Sequence, residues 1–157
     1  MKIALDVLGG DNAPMANIEG AISFLQQQDN HDTELILVGN KKIIEPTLAN
    51  LTNNFSNIQI IHTTESISME EKPSRIFKEK PNSSLIKSIE LIKNGVADAV
   101  VSAGNTGALL AASLFLIGKI PGIKRPALAP LIPTSNGSFI LCDAGANADS
   151  KSHHLIQ

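Results

Sequence analysis

Ser102-Ala103-Gly104-Asn105-Thr106-Gly107 is a polar, glycine-rich turn set between an apolar run (Ala97, Ala99, Val100, Val101) and an apolar helix over Ala108–Ile117. A strand that ends in such a turn aims free backbone N–H groups and a helix N-terminus at one spot, where phosphate can sit. The layout recurs. Asp6-Val7-Leu8-Gly9-Gly10-Asp11-Asn12 closes the first apolar run, and Asp143-Ala144-Gly145-Ala146-Asn147 closes the last.

Outward from these turns, strand and helix alternate. Lys2–Leu8 reads as a strand, and Pro14 stands where a first helical turn tolerates it, with Asp11 and Asn12 available as caps. Ile18, Ala21, Ile22 and Leu25 recur at helical spacing, leaving one face to bury. Leu35–Val38 is a second strand, and Lys41–Leu51 a helix that Pro46 either kinks or starts. Ile58–Ile61 is a third. Ser83 or Ser84 caps a helix whose stripe is Leu85, Ile89, Ile92 and Val96, with Lys93 in its last turn and Gly95 at the left-handed position beyond it. This order implies right-handed crossovers and an α/β fold, a largely parallel sheet with helices on both faces. Pro126–Pro133 and Ser138–Asp143 read as a hairpin turning at Asn136-Gly137, with Pro130 and Pro133 holding the first arm to an edge. Thr63–Asn82, with mixed charge, Pro73 and Pro81, is longer than a connection requires and carries a function or a short helix.

With 157 residues, 43% of them apolar, the chain has the length and composition of one sizeable core. Its net charge of −2 lacks the basic excess that nucleic-acid binding requires. Base-stacking platforms are unsupported, since five phenylalanines are the only aromatics. A lone Cys142 makes no internal disulfide, and Met1-Lys2-Ile3 does not open a signal peptide, so the cytoplasm is the expected location. Ala108–Ile117 is too short for a bilayer span, which takes about 20 residues.

Several site readings fail on spacing. Gly9-Gly10-Asp11 lacks the dinucleotide fingerprint, and Gly118-Lys119 is followed by Ile120 where a P-loop needs Ser or Thr, so neither a dinucleotide nor ATP is expected as cofactor. His153-His154 are adjacent and do not share a helix face, and no Cys or Asp spacing completes a metal site. His31 and His62 have no serine partner for a hydrolase triad. Cys142, in an apolar strand, reads as a small core residue. Lys72, Arg75, Lys78 and Lys80 are nearly cancelled by Glu70, Glu71 and Glu79, the pattern of a solvated face. Ser102–Gly107 stays open between a tight connecting turn and an anion site, and Asn105 and Thr106 add side-chain donors to the second reading. Asp11, Asn12, Asp143 and Asn147 are equally open between caps and ligands, and Asp6 between ligand and turn anchor.

Asp6–Pro14, Lys80-Pro81-Asn82-Ser83-Ser84, Val101–Leu109 and Asp143–Asn147 together resemble the bacterial phosphate acyltransferase of phospholipid synthesis, over the whole chain. Two departures stand out: Lys78 replaces a usual arginine, and Ser150, Ser152 and His153 replace the Cys, Pro and Glu of a terminal Asp-Cys-Lys-Pro-Glu-His-Leu pattern. The resemblance implies a fold like the isocitrate and isopropylmalate dehydrogenases and phosphotransacetylases. Because that family's chains are roughly twice as long, residues 1–157 correspond to the N-terminal part of one acyltransferase domain. It implies transfer of a fatty acyl group from acyl-acyl carrier protein to inorganic phosphate, without a metal or other cofactor. The acyl phosphate product feeds a membrane glycerol-3-phosphate acyltransferase, and the implied enzyme is a homodimer, cytoplasmic and at most peripheral to the membrane. By resemblance, Asn105 and Thr106 are the catalytic candidates, and Gly104, Asn105, Thr106 and Gly107 hold phosphate or the oxyanion. Gly9, Gly10, Asp11, Asn12, Lys80, Ser83, Ser84, Asp143 and Asn147 line the substrate cleft. An Asn105→Ala change is then expected to lower turnover and leave the thermal midpoint nearly unchanged. Two alternatives stay open: a phosphotransacetylase using acyl-coenzyme A, and an inactive half-length chain that serves only dimerisation or carrier binding.

Overall fold

A computed structural model describes residues 1–27, 32–51, 56–124, 126–145, 151, 152 and 156. They divide into two compact units, Met1–Ile117 and Gly118–Gln157, where length alone suggested one core.

The first unit is built on four parallel strands: β1 (Lys2–Asp6), β2 (Glu34–Gly39), β3 (Ile58–His62) and β4 (Ala99–Ser102), in the order β3-β2-β1-β4. Registers run Ile3 to Leu35, Leu35 to Ile58 and Ile3 to Ala99. Two helices, α1 (Met15–Leu25) and α2 (Lys41–Leu51), pack their apolar stripes on one face, where Ile18, Ile22, Ile44 and Leu48 meet Leu35 and Leu37. Alternate residues of β1 and β2 point the other way, as the pleat requires. There Ala4, Ile36 and Val38 form a second apolar cluster with Ala97, Leu91 and Ile92. Helices α3 (Ile76–Glu79), α4 (Ser84–Lys93) and α5 (Thr106–Leu116) share a third core through Ile76, Leu85, Ile86, Ile89, Ala108 and Ala112. The doubly covered parallel sheet read from the sequence is therefore present.

Local chemistry explains where the elements begin and end. Ser83 is the N-cap of α4, its hydroxyl accepting from the Ile86 N–H, and Gly95 takes φ +69° just beyond the Asn94 C-cap. Pro46 neither starts nor breaks α2: the helix runs from Lys41 with the proline inside it, held by Ile44 and Leu48, both buried in the core. For α1, Pro14 occupies the N-cap with no side-chain cap bond, so Asp11 and Asn12 do not cap it. The strand β1 stops at Asp6, two residues earlier than its apolar run, because Val7 leaves the ladder to enter the core while its N–H still reaches the Val38 carbonyl at 3.0 Å. The long Thr63–Asn82 connection holds a 3-10 turn at Pro73–Arg75 followed by α3.

In the second unit β5 (Leu131–Thr134) and β6 (Gly137–Ile140) form the expected hairpin. Its turn sits one residue earlier than Asn136-Gly137, because Gly137, at φ +137°, already pairs with Thr134. Cys142 is exposed, which overturns the core reading: β6 ends at Ile140, so the cysteine lies beyond the strand that was to bury it.

Candidate functional site at the strand switch point

Strand order reverses between β1 and β4: the chain steps outward from β1 to β3, then returns to β4 on the other side of β1. In open parallel sheets the crevice beyond the strand ends at such a reversal is where ligands bind, since the two connections leave in opposite directions. Gly9-Gly10 follows β1 and Ser102–Gly107 follows β4, so the fold sets the first two of the three glycine turns side by side.

They interlock. A Cβ on Gly9 would lie 2.4 Å from the Asp6 carboxylate and 3.1 Å from the Gly104 N, and one on Gly104 would lie 3.2 Å from the Gly9 Cα. A Cβ on Gly10, at φ +104°, would lie 3.0 Å from Ala103. Backbones can approach this closely only where both residues lack a side chain. Asp11 and Asn12 are exposed on the same loop.

Beneath the junction lies Asp6, 2% exposed. Its carboxylate accepts from the Ser84 hydroxyl on α4 and, at 2.8 Å, from the Ser102 hydroxyl at the end of β4. Ser102 Oγ in turn accepts the Gly104 N–H at 3.1 Å. That N–H is thus directed inward. The donors α5 leaves without intrahelical acceptors are the N–H groups of its first turn, at Thr106 and Gly107, both exposed. From the α1 side, Asn17 Nδ2 contacts three carbonyls, those of Asp6 (3.4 Å), Val7 (3.0 Å) and Gly9 (2.8 Å). Neither Asn17 nor the role of Ser102 was read from the sequence; an asparagine in the first turn of a helix, seven residues after a double glycine, is the signal that could have found it.

Asn105, 8% exposed, caps α5 by accepting the Ala108 N–H at 2.9 Å. Its Nδ2 donates to the carbonyls of Ser68, Met69 and Glu71, each at 3.1 Å. The amide is therefore spent on fastening the 68–71 loop beside the start of α5, and Pro73 packs there too, 2.8 Å from where a Gly107 Cβ would stand. Lys80 reaches this loop from the other side, through the Ser66 carbonyl at 2.6 Å and an ion pair with Glu71. Lys80, with its hydrogen bond first and its charge besides, holds the Glu71 carboxyl below its ordinary value, helped by the Ser68 N–H. Arg75 pairs with Glu79 at 3.9 Å in solvent, as a solvated face would have it.

Of the remaining predicted cleft residues, Ser83 and Ser84 are buried, the one as a cap and the other on Asp6. Asp143 belongs to the second unit, where its carboxylate accepts the Leu128 N–H at 3.0 Å. Asn147, His31, His153 and His154 lie outside the described residues. Among the described residues no group of three or more His, Cys, Asp or Glu could hold a metal, and no helix is long and apolar enough to cross a membrane. Between α1 and the β1–β4 side of the sheet runs an apolar groove of about 290 Å³, lined by Ile3, Leu5, Ala21, Phe24 and Val101, with Asn17 at its wall.

Known proteins bear on this geometry. In structure the chain is similar to the EutD phosphotransacetylase from Staphylococcus aureus, with a TM-score of 0.66 and 18% identity, over 99% of this chain and 49% of that one; at this identity the likeness is one of fold. In sequence it is similar to the phosphate acyltransferase of Exiguobacterium sp., 47% identical over 157 residues, and to that of Clostridioides difficile, 43% identical over 158 residues. The chain spans about half the length of these curated relatives, 46% of each. A family model described as fatty acid synthesis protein matches residues 1–157, and the chain belongs to that family.

Proposed function

We propose that the enzyme to which this sequence corresponds transfers a fatty acyl group from acyl-acyl carrier protein to inorganic phosphate, releasing acyl phosphate for phospholipid synthesis. The observation that carries the reading is the junction of two glycine turns at the strand switch point, with the first turn of α5 opening beside it. The family and the names of its relatives supply the reaction class.

The chemistry asks little of proton transfer. A phosphate oxygen forms a bond to the thioester carbonyl carbon, the carbonyl oxygen takes the negative charge, and collapse breaks the C–S bond. The electron pair leaves on a thiolate whose reference pKa is about 8.5, so no strong acid is needed. Rate comes from holding the two anionic partners in attacking geometry and from donors aimed at the developing oxyanion. In this reading the N–H groups of Thr106 and Gly107 and the Thr106 hydroxyl hold phosphate, and the helix dipole of α5 favours its charge. Asn105 serves them by fixing the turn. Gly9, Gly10, Asp11 and Asn12 form the facing rim, and the apolar groove beside Asn17 offers a long acyl chain a surface that an acetyl group would not use.

Trapping acyl phosphate with hydroxylamine tests the reading. The chain joined to the family's second half should form hydroxamate from palmitoyl-acyl carrier protein at a rate that depends on phosphate and exceeds the direct reaction of the thioester with hydroxylamine. Phosphate-dependent hydroxamate with acetyl-coenzyme A alone would replace the reading with a phosphotransacetylase, and none with either thioester would remove it.

A further inference from the structure

We infer that Asp6 is a positioning residue for the phosphate site: through Ser102 it sets the Gly104 peptide, and with it the direction of the α5 N–H donors. The inference rests on the phosphate site proposed above and deepens it. Asp6 does not reach the site surface, being 2% exposed beneath the glycine junction. A buried carboxylate under an anion site works against anion affinity by simple repulsion, so binding phosphate is not its use. Its two oxygens instead serve separate elements. One accepts from Ser84, in the first turn of α4, and the other from Ser102, the last residue of β4.

The chain of donors has a direction. Gly104 N–H donates to Ser102 Oγ, whose own proton goes to Asp6. With its proton committed to the carboxylate, the serine presents a lone pair to Gly104, and the Gly104 amide turns inward. The next residue, Asn105, then enters α5 as its cap. Any other hydroxyl direction leaves the Gly104 N–H without its acceptor at the tight contact with Gly9, and the turn that leads into the Asn105 cap loses one of its fixings. The Ser84 bond has no such consequence, since it leads to α4 and not to the turn.

Inorganic phosphate binding to the chain joined to the family's second half, followed by ³¹P line broadening, separates these roles. Ser102→Ala and Asp6→Asn should each weaken phosphate binding by about tenfold, roughly the loss of one charge-assisted hydrogen bond. The double variant should be no weaker than either single, because both act on one peptide. Ser84→Ala should change binding by less than about twofold while lowering the thermal midpoint. Phosphate affinity unchanged in a folded Ser102→Ala chain would overturn the inference and leave the site standing, as would additive losses in the double variant. Should Asp6→Asn fail to fold, Ser102→Ala alone decides, since it deletes a single hydroxyl at a half-buried position. Wild-type chain that binds no phosphate would overturn the site itself, and the inference with it.

Discussion

Gly104 and Gly145 both follow an aspartate- or serine-ended apolar run, and in the sequence their turns look alike, but the molecule uses them for different reasons. At Gly104 the missing side chain permits contact: a Cβ there would stand 3.2 Å from the Gly9 backbone. At Gly145 a Cβ would meet nothing within 4 Å among the described residues, and the glycine answers to its φ of +106°. One turn is shaped by a neighbour, the other by its own backbone. The cause is the partner strand: β4 lies beside β1, whose own glycine loop leaves at the same level, whereas the turn at Asp143 follows the second arm of a two-stranded hairpin.

Substitution breaks this comparison most directly at Gly9. Gly9→Ala drives a methyl to 2.4 Å from the Asp6 carboxylate, which Ser84 and Ser102 hold in place. A loss of about 3 kcal/mol is expected, from steric strain and a disturbed buried carboxylate. Gly145→Ala should cost about 1 kcal/mol, the strain of a positive φ alone. Urea midpoints at constant m check both. Equal losses at the two positions would mean that the glycine junction of the first unit is not tight.

The next effect is at Asn105. From the sequence this residue reads as a donor to the reacting oxyanion, with little bearing on stability. Its contacts give it another task, since Asn105→Ala removes a helix cap and leaves three carbonyls of the 68–71 loop without their donor. The cap alone is worth about 1 kcal/mol and the loop bonds add about as much again. A thermal melt should therefore show a clear drop. An unchanged midpoint would restore the catalytic reading.

How far the molecule was legible follows from these cases. Strands β1 to β4 and the four longer helices were readable because apolar spacing and caps are local: the Leu85, Ile89, Ile92 stripe, Ser83 and Gly95 lie within thirteen residues of one another. The pairing of Gly9 with Gly104 was not. Nothing local distinguishes Asp6-x-x-Gly-Gly from Asp143-Ala-Gly until strand order sets one of them beside β4 and the other in a separate unit. Asn105 was found as a residue, but its hold on the 68–71 loop was not legible, because its three acceptors are carbonyls 34 to 37 positions away. Backbone carbonyls carry no signature in a sequence. Cys142 failed for another reason: its apolar run reads as strand to Asp143, whereas β6 ends at Ile140 and Cys142 is exposed two residues beyond it.

The smallest effect concerns the latch on that loop. Lys80 holds the Glu71 carboxyl below its ordinary value, so the folded state favours the charged form. The pair's contribution is complete above the unfolded carboxylate's pKa and is lost as pH falls through the lower folded value. Stability measured from pH 6 down to pH 2 (~4 units spanning the reference carboxylate pKa) should therefore fall more steeply for the wild type than for Glu71→Gln. The difference should stay below about 1 kcal/mol, since both partners are partly solvated and salt screens them. Glu71→Gln leaves the Glu71 carbonyl, and hence the Asn105 bond, intact. Parallel acid profiles for the two proteins would mean that the Glu71 carboxylate does not fasten the loop and that Lys80 contributes only through the Ser66 carbonyl.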